Sequence, residues 1–431
     1  MIKTFISRPL YQQIFAAIFL ALVVGILFQV LFTPDQVASP IAVFDFIGSL
    51  FIRGLKMLIV PLIVSAIISA MAGIGKEEGF ARLAGKTVGF YALSTVLAIL
   101  AGLLLVNIMS PGIIDGQPAG EVIELPDADL ESIEKTEGRG AKDVVAVFQR
   151  MIPPNIVSAA AQGQMLGLIV FSIIFGFFLA RTDGPAAQSV QNFVQGLYEV
   201  MLKITDLVMR FAPLGVFALI ASITAQVDFA DILKLAWFPV CVLLALGVHF
   251  FISLPALLFF LGRVNPVAHY RAMFSAALTA FSTASSSATL PLTMECLIDN
   301  AGVSKRVTSF TTPLGATVNM DGTALYECVC VIFLMQVFGM EISIGSQILT
   351  VVLALLTSIG VAGIPSASLV AILVILNAVG LDDAAIGIGI ALLQFTDRIL
   401  DMCRTAVNVI GDSVCAAVVA RSEGEDTKVA L

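Results

Sequence analysis

Asp397-Arg-Ile-Leu-Asp401-Met-Cys-Arg404-Thr405-Ala-Val-Asn408-Val-Ile-Gly-Asp412 sets polar residues at regular intervals inside an apolar segment. Wound as an α-helix at about 100° per residue, it brings Asp397, Asp401, Arg404, Thr405, Asn408 and Asp412 into one arc of about 100°. Ile399, Met402, Cys403, Val407, Val409 and Ile410 fall on the opposite side. In a water-soluble helix such a stripe is a solvated face. Here the flanking sequence is apolar on both sides, so each ionisable group would cost about 2.5–3.5 kcal/mol at a bilayer centre. A stripe of that cost persists where it faces a cavity and finds partners.

The rest of the chain supplies the bilayer. Its 431 residues are 58% hydrophobic and 13% charged, with mean hydropathy +1.00, against about 25% charged residues in a soluble chain. That composition excludes a soluble enzyme, a nucleic-acid binder and a disordered scaffold, and leaves an all-α polytopic membrane protein. Runs long enough to span, at about 20 apolar residues each, occur near 13–33, 43–73, 88–110, 155–180, 194–226 and 231–262. Arg53, Lys56 and Pro61 inside the second run predict a tilted or bent helix. The apolar run after Lys3 and Arg8 is longer than a signal-peptide core and lacks a clear A-x-A cleavage site.

Six cysteines (Cys241, Cys296, Cys328, Cys330, Cys403, Cys415) sit in or beside apolar runs and read as buried thiols rather than a zinc cage. With His249 and His269 as the only histidines, a histidine-based metal site is not expected, nor is any cofactor. Between the third and fourth spans, Asp115 to Arg150 holds nine acids against four bases and reads as a flexible solvated loop. Lys3 and Arg8 at the N-terminus, and Lys76, Arg82 and Lys86 in the 75–86 loop, place those segments in the cytoplasm and the acidic loop outside.

After about residue 265 the apolar stretches are interrupted. The breaks are Thr283-Ala-Ser-Ser-Ser-Ala-Thr-Leu-Pro291, Asn319-Met-Asp-Gly-Thr323, Ser358-Ile-Gly-Val-Ala-Gly-Ile-Pro-Ser-Ala-Ser368 and the polar stripe itself. They form two similar units, a small-residue break with proline followed by an acid in an apolar segment. Ser287 to Asp321 spans 34 positions and Ser366 to Asp401 spans 35. Paired interrupted segments at matching places in two halves point to a transporter binding site with inverted-repeat character. Irregular backbone at membrane depth must be buried in protein or face a water-filled cavity. The Ser285–Pro291 and Gly360–Ser368 breaks therefore read as tips of re-entrant helical hairpins, with ordinary surface turns between short spans as the alternative.

The stripe also suggests its ligand. Arg404 offers a planar fork for a carboxylate, and Asp401 can accept hydrogen bonds from an ammonium group. That combination matches an amino acid with an acidic side chain; a bridge between Asp401 and Arg404 themselves is the structural alternative. Asp321 and Asp412, with Asn319 and Asn408, supply hard oxygens for a coupling cation. An unwound Asn319–Thr323, made cheap by Gly322, would add backbone carbonyls. Glu327 is a second acid in that segment and a candidate proton carrier, so sodium and proton coupling both stay open.

Ser285-Ser-Ser-Ala-Thr-Leu-Pro291, Asn319-Met-Asp-Gly-Thr323, Gly363-Ile-Pro365 and the 401–412 segment, with Lys56-Met-Leu-Ile-Val-Pro61 in the second span, together resemble the glutamate/aspartate transporter family. These dicarboxylate and amino acid–cation symporters include the archaeal aspartate transporters and the excitatory amino-acid transporters. The resemblance covers essentially the whole chain. It implies eight transmembrane helices plus two re-entrant hairpins, a homotrimer, and an elevator movement gated by the second hairpin. Residues 1–74 and 151–226 would form the scaffold, and 75–113 and 227–420 the transport domain. The acidic 114–150 loop would lie outside the cell and the 421–431 tail in the cytoplasm.

Residue by residue, the resemblance gives Arg404 the substrate side-chain carboxylate and Asp401 its ammonium. Thr405, Asn408, Thr323 and Ser286 would add polar contacts, with backbone from Ile364 and Ser368. Asp412, Asn408, Asn319 and Gly315 resemble one sodium site, and Asp321, Asn319, Tyr91, Ser94 and Thr95 a second. Backbone oxygens of Thr317, Ser358, Ile359 and Val361 would make a third, near Met320.

There are departures. Archaeal members carry an arginine where this chain has Ala284, and mammalian members one where it has Met402. Arg398, one turn earlier on that side of the helix, is the candidate replacement. Glu327 matches the mammalian proton-carrier position, where archaeal members have glutamine, and Val361 replaces an archaeal threonine. Two rivals remain. A C4-dicarboxylate symporter would give Asp401 nothing to bind, and an anion-conducting channel would not accumulate substrate uphill. An intramembrane hydrolase lacks a histidine or lysine placed as base near Ser285–Ser287. The expected home is a bacterial inner membrane, with both termini cytoplasmic and no N-x-[ST] sequon in the chain.

Overall fold

The computed structural model describes residues 10–32, 34–72, 80–123, 125, 152–162, 164–226, 233–359 and 368–430. In chain order the α-helices longer than one turn are α1 Leu10–Leu31, α2 Pro34–Ala72, α3 Phe80–Met109, α4 Ile156–Ala161, α5 Met165–Arg181, α6 Pro185–Arg210 and α7 Ala212–Gln226. They continue as α8 Trp237–Gly262, which includes two π-helical turns, then α9 Pro266–Thr283 and α10 Ser286–Glu295. The last five are α11 Lys305–Val318, α12 Asp321–Val337, α13 Ile344–Ser358, α14 Ser368–Val379 and α15 Asp383–Ser422.

Among the described residues six helical segments are long and apolar enough to cross a membrane, or seven if the bent pair α6–α7 counts as one span. The protein is therefore a multi-pass, all-helical membrane protein. Its outward faces fit that solvent. Phe19, Leu104, Phe178, Phe193, Phe251, Phe260 and Phe274 are all more than half exposed, which is costly in water and neutral in lipid.

Packing divides the helices into two groups. α7 lies along α1 and α2, and α2 also packs on α5 and α6. In the second group α12 packs on α3, α13 and α15, and α9 and α11 also pack on α15. α7 against α15 is a principal contact between the groups. All 17 residues of α12 are buried, from Asp321 to Val337, so this helix takes the centre of its group.

Several expected spans differ in detail. The 155–180 run is two helices, α4 and α5. The 194–226 run bends by 50° between α6 and α7. The 43–73 run belongs to the 39-residue helix α2, which has Pro40 and Pro61 inside it. The acidic loop, which the sequence reads as flexible, opens as a two-strand hairpin, Ile113–Ile114 against Gln117–Pro118. Asp115 and Gly116 turn it at φ 51° and 83°, the left-handed pair a tight hairpin needs. From residue 126 to 151 the loop lies outside the described residues.

The interrupted region is built by caps. Asn265 caps α9 by accepting from the Val267 and Ala268 amides, with Pro266 first in the helix. Ala284 ends α9 in the left-handed region at φ 50°, and Ser285 at once caps α10 by accepting from the Ala288 amide. Two helical arms therefore meet at Ala284-Ser285, and the expected Ser285–Pro291 break narrows to that pair, because Ser286–Pro291 belongs to α10. α13 and α14 flank the second break, and residues 360–367 between them lie outside the described residues.

The end of the chain is strapped to the same group of helices. Ser304 donates to Glu425 at 2.6 Å, the Asn265 amide donates to Val429 O at 2.8 Å, and Arg82 and Lys86 of α3 reach Glu423 at 2.7 and 2.5 Å. The hydrogen bonds from Arg82 and then Lys86 pull the Glu423 carboxyl down to about 2, from about 4.3 in an unfolded chain. A depressed carboxyl stabilises the fold above its unfolded value, and that contribution fades as pH falls through the folded one. Glu423→Gln is thus expected to lower the thermal midpoint at pH 7 by a small, salt-sensitive amount, because the Arg82 side chain is 68% exposed. The difference from wild type should close between about pH 4 and pH 2; equal midpoints at pH 7 would show that the clamp contributes nothing.

Candidate functional site

Asp397, Asp401, Arg404, Thr405, Asn408 and Asp412 are all 5% exposed or less. The predicted stripe is therefore buried in protein, while Ile399 on the far side is 52% exposed. Val407, Val409 and Ile410, placed with Ile399 by the sequence reading, are instead covered by neighbouring helices.

Arg404 organises the middle of the stripe. Its Nη1 meets Asp397 Oδ1 at 3.0 Å, its Nη2 meets Asp401 Oδ1 at 2.9 Å, and its Nε donates to the same oxygen at 3.1 Å. Nη2 also donates to Ser368 Oγ at 2.7 Å, from the first residue of α14. The guanidinium lies 4.1 Å from the centre of the Tyr326 ring of α12. The bridge between Asp401 and Arg404, left open by the sequence, is thus formed. Arg398 Nη1 stands 3.5 Å from Asp401 Oδ2, so Asp401 lies between two arginines. Two acids and two bases balance here, as burial of charge demands. Thr405 donates to Asp401 O at 2.7 Å within the helix.

One turn on, Asn408 meets the start of α12. Its Oδ1 accepts from the Gly322 amide at 2.8 Å and the Thr323 amide at 3.3 Å, and its Nδ2 donates to Thr323 Oγ1 at 3.0 Å. This is an N-cap supplied by another helix. It corrects the expectation that Asn319–Thr323 is unwound. With its first amides satisfied by Asn408, α12 starts at Asp321, and only Asn319 and Met320, at φ −110° and −107°, are non-helical.

The role assigned to Gly322 changes as well. A Cβ there would lie 2.6 Å from Arg404 O and 3.0 Å from Arg404 Cα, so glycine is needed for close approach of α12 to α15. Gly322→Ala is expected to force those backbones apart and lower the thermal midpoint of the purified protein, as overpacking costs about 1–3 kcal/mol. An unchanged midpoint for Gly322→Ala would refute the contact.

Below Asn408 the second acidic group assembles. Asp321 Oδ1 accepts from Thr95 Oγ1 at 2.8 Å, and Oδ2 accepts from Ser94 Oγ at 2.5 Å, both from α3. Thr95 also reaches Asn319 Oδ1 at 3.3 Å, and Asn319 Nδ2 donates to Asp412 Oδ1 at 3.1 Å. Gly315 abuts Asp412, and a Cβ on it would lie 2.5 Å from Tyr91 Oη. Tyr91 donates to Thr311 O at 2.7 Å. Two buried carboxylates, an amide and two hydroxyls, from α3, α12, α15 and the break before α12, make a hard-oxygen cluster of the type cations seek.

The remaining candidates scatter around these groups. Met320 packs on Ala371 of α14. Thr317 and Ser358 return their hydroxyls to Leu314 O and Leu355 O at 3.0 and 2.9 Å. Ile359 closes the C-terminus of α13. Ser286 is buried in the first turn of α10, and among the described residues no hydrogen bond joins it to Arg404. Val361 and Ile364 lie outside the described residues. Glu327 is fully buried and accepts from Thr357 Oγ1 of α13 at 2.8 Å.

Sequence reasoning missed three residues here: Tyr326 beneath Arg404, Thr357 on Glu327, and His249, whose Nε2 is 3.2 Å from Asp321 Oδ2. Each comes from a different helix than its partner, so no local spacing could have signalled it. Asp397 was placed on the stripe but given no role, and it proves to be the second carboxylate on Arg404.

A family model described as the sodium:dicarboxylate symporter family matches residues 10–422. The chain is 33% identical over 414 residues to a proton/sodium-glutamate symport protein of Geobacillus stearothermophilus, covering 96% of this chain and 94% of that one. It is 33% identical over 390 residues to the proton/glutamate-aspartate symporter of Escherichia coli (strain K12), covering 89% and 86%. Excitatory amino acid transporter 2 of Mus musculus is 36% identical over 437 residues, covering 89% and 75%.

Proposed function

The chain belongs to the sodium:dicarboxylate symporter family, and from that premise we propose that it carries acidic amino acids into the cell by symport with cations. The observation that carries this reading is the buried Asp397–Arg404–Asp401 group on one helix, directly beside the Asp321–Asn319–Asp412 cluster. A substrate carboxylate would take Arg404 in exchange for its present aspartate partners, and the substrate ammonium would take Asp401. Thr405, Asn408, Thr323, Ser286 and the hairpin-tip backbone at Ile364 and Ser368 would complete the shell.

Asp412, Asn408, Asn319 and Gly315 would hold one cation, and Asp321, Asn319, Tyr91, Ser94 and Thr95 a second. Carbonyls of Thr317, Ser358, Ile359 and Val361 would hold a third beside Met320. Glu327, buried between α12 and α13, is the group suited to carry a proton. The relatives named as proton/sodium-glutamate symporters support cations of both kinds.

The two packing groups support a reading of how the site moves. Helices α1, α2 and α4–α7 would be the fixed scaffold of a homotrimer in the plasma membrane. α3 and α8–α15 would carry the site across the bilayer as an elevator, with the α13–α14 hairpin as gate and both termini in the cytoplasm. A C4-dicarboxylate substrate is the second reading; Asp401 argues against it, since a dicarboxylate brings no ammonium to pair with it.

The test is uptake of labelled aspartate, glutamate and succinate into proteoliposomes under separate sodium and proton gradients. Uphill accumulation of an acidic amino acid is the expected result. Accumulation of succinate alone would move the assignment to dicarboxylates, and purely downhill flux would make the protein a channel.

A further inference from the structure

His249 and Asp321 are both completely buried, and His249 Nε2 lies 3.2 Å from Asp321 Oδ2. The histidine is held there by an irregularity in α8. Its carbonyl accepts from the Leu254 amide, five residues on, which makes His249–Ser253 a π-helical turn. Pro255, next in the chain, has no amide to continue the regular ladder. A single π turn shifts the faces of a helix against one another and is frequent at functional sites. Here Phe251 and Ile252 point outward, 71% and 63% exposed. His249 is turned inward onto α3, which supplies Ser94 and Thr95. Tyr270 pins the turn by stacking on Phe250 with ring centres 5.0 Å apart and donating to its carbonyl at 2.5 Å.

We propose that His249 is a positioning residue of the Asp321 cation site, whose Nε2–H fixes Oδ2 and so sets how tightly the site holds its cation. Asp321 then carries three donors: Ser94, Thr95 and His249. The two hydroxyls can donate to the carboxylate and still offer their own oxygens to a cation. The imidazole nitrogen cannot do both, since its lone direction is the N–H that Asp321 accepts. It therefore acts on the cation only through the carboxylate, in the manner of the partners that orient metal ligands from behind. This rests on the cation-symport reading above.

The test is sodium-dependent thermal stabilisation of the purified full-length protein without substrate, compared among wild type, His249→Gln, His249→Asn and His249→Leu. His249→Leu should raise the sodium concentration for half-maximal stabilisation by at least about tenfold, the loss of about 1.4 kcal/mol. His249→Gln, whose amide nitrogen reaches about as far as Nε2, should stay within about threefold of wild type. His249→Asn, too short to reach Oδ2, should follow His249→Leu and stands in for it if that variant does not fold. Equal shifts in His249→Gln and His249→Asn, or no shift in either His249→Asn or His249→Leu, would reduce His249 to a packing residue. A wild-type protein whose stability ignores sodium would overturn the cation-site reading, and this role with it.

Discussion

Arg404→Lys is expected to reduce uptake of aspartate and glutamate by at least about a hundredfold, while the protein is extracted and unfolds much like wild type. The reasoning starts from what one guanidinium does at this position. It spans Asp397 and Asp401, donates to Ser368 and lies over Tyr326. A lysine ammonium keeps the charge that balances the aspartates, so the burial of that group is not left unpaired. It is a point donor on a flexible stem and cannot present two parallel N–H groups to a carboxylate. The variant therefore separates recognition from charge balance.

Arg404→Ala does not make that separation. It leaves Asp397 and Asp401 with a large part of their compensation gone, and breaking a buried pair in this way costs about 3–5 kcal/mol. Loss of uptake in the alanine variant would be confounded with loss of fold. Undiminished uptake of aspartate by Arg404→Lys, at unchanged KM, would remove the guanidinium from the substrate site.

How much of this was legible beforehand depends on whether the signal is local. The stripe on α15 is one helix read at one period, and the burial of all six of its residues follows from sequence alone. The break at Ala284-Ser285 was legible for the same reason, because the capping serine and the turn are neighbours in the chain. The break at Asn319-Met320 was visible, but its extent was overestimated. The residue that restores helix at Asp321 is Asn408, 86 positions from the Gly322 amide it accepts. Gly322 illustrates the ambiguity of glycine: sequence suggests freedom of backbone, and the structure shows need for closeness to Arg404.

The third-span residues Tyr91, Ser94 and Thr95 carry no pattern of their own in the sequence. They entered through resemblance, and the hydrogen bonds from Ser94 and Thr95 to Asp321 give two of them a physical basis. His249 had neither a pattern nor a resemblance to announce it. Its inward turn depends on a π turn that hydrophobic periodicity does not encode.

Asp401→Asn should change which substrate the protein prefers. Asparagine is nearly isosteric, so its oxygen can still accept from Arg404 Nε, now 3.1 Å away. What disappears is one negative charge between Arg398 and Arg404. An incoming ammonium would then meet two arginines with Asp397 as the carboxylate left on Arg404, and like-charge contact of that kind opposes binding. A dicarboxylate brings two negative charges and no ammonium, and the same change favours it.

We expect uptake of aspartate and glutamate to fall by at least about a hundredfold, mainly through KM, and the ratio of succinate to aspartate uptake to rise by at least about tenfold. Competition assays in proteoliposomes at fixed cation gradients would measure both. If aspartate and succinate uptake fell in parallel, Asp401 would be holding the arginines in place without reading the ammonium. The choice of an amino acid over a dicarboxylate would then have to come from elsewhere in the site.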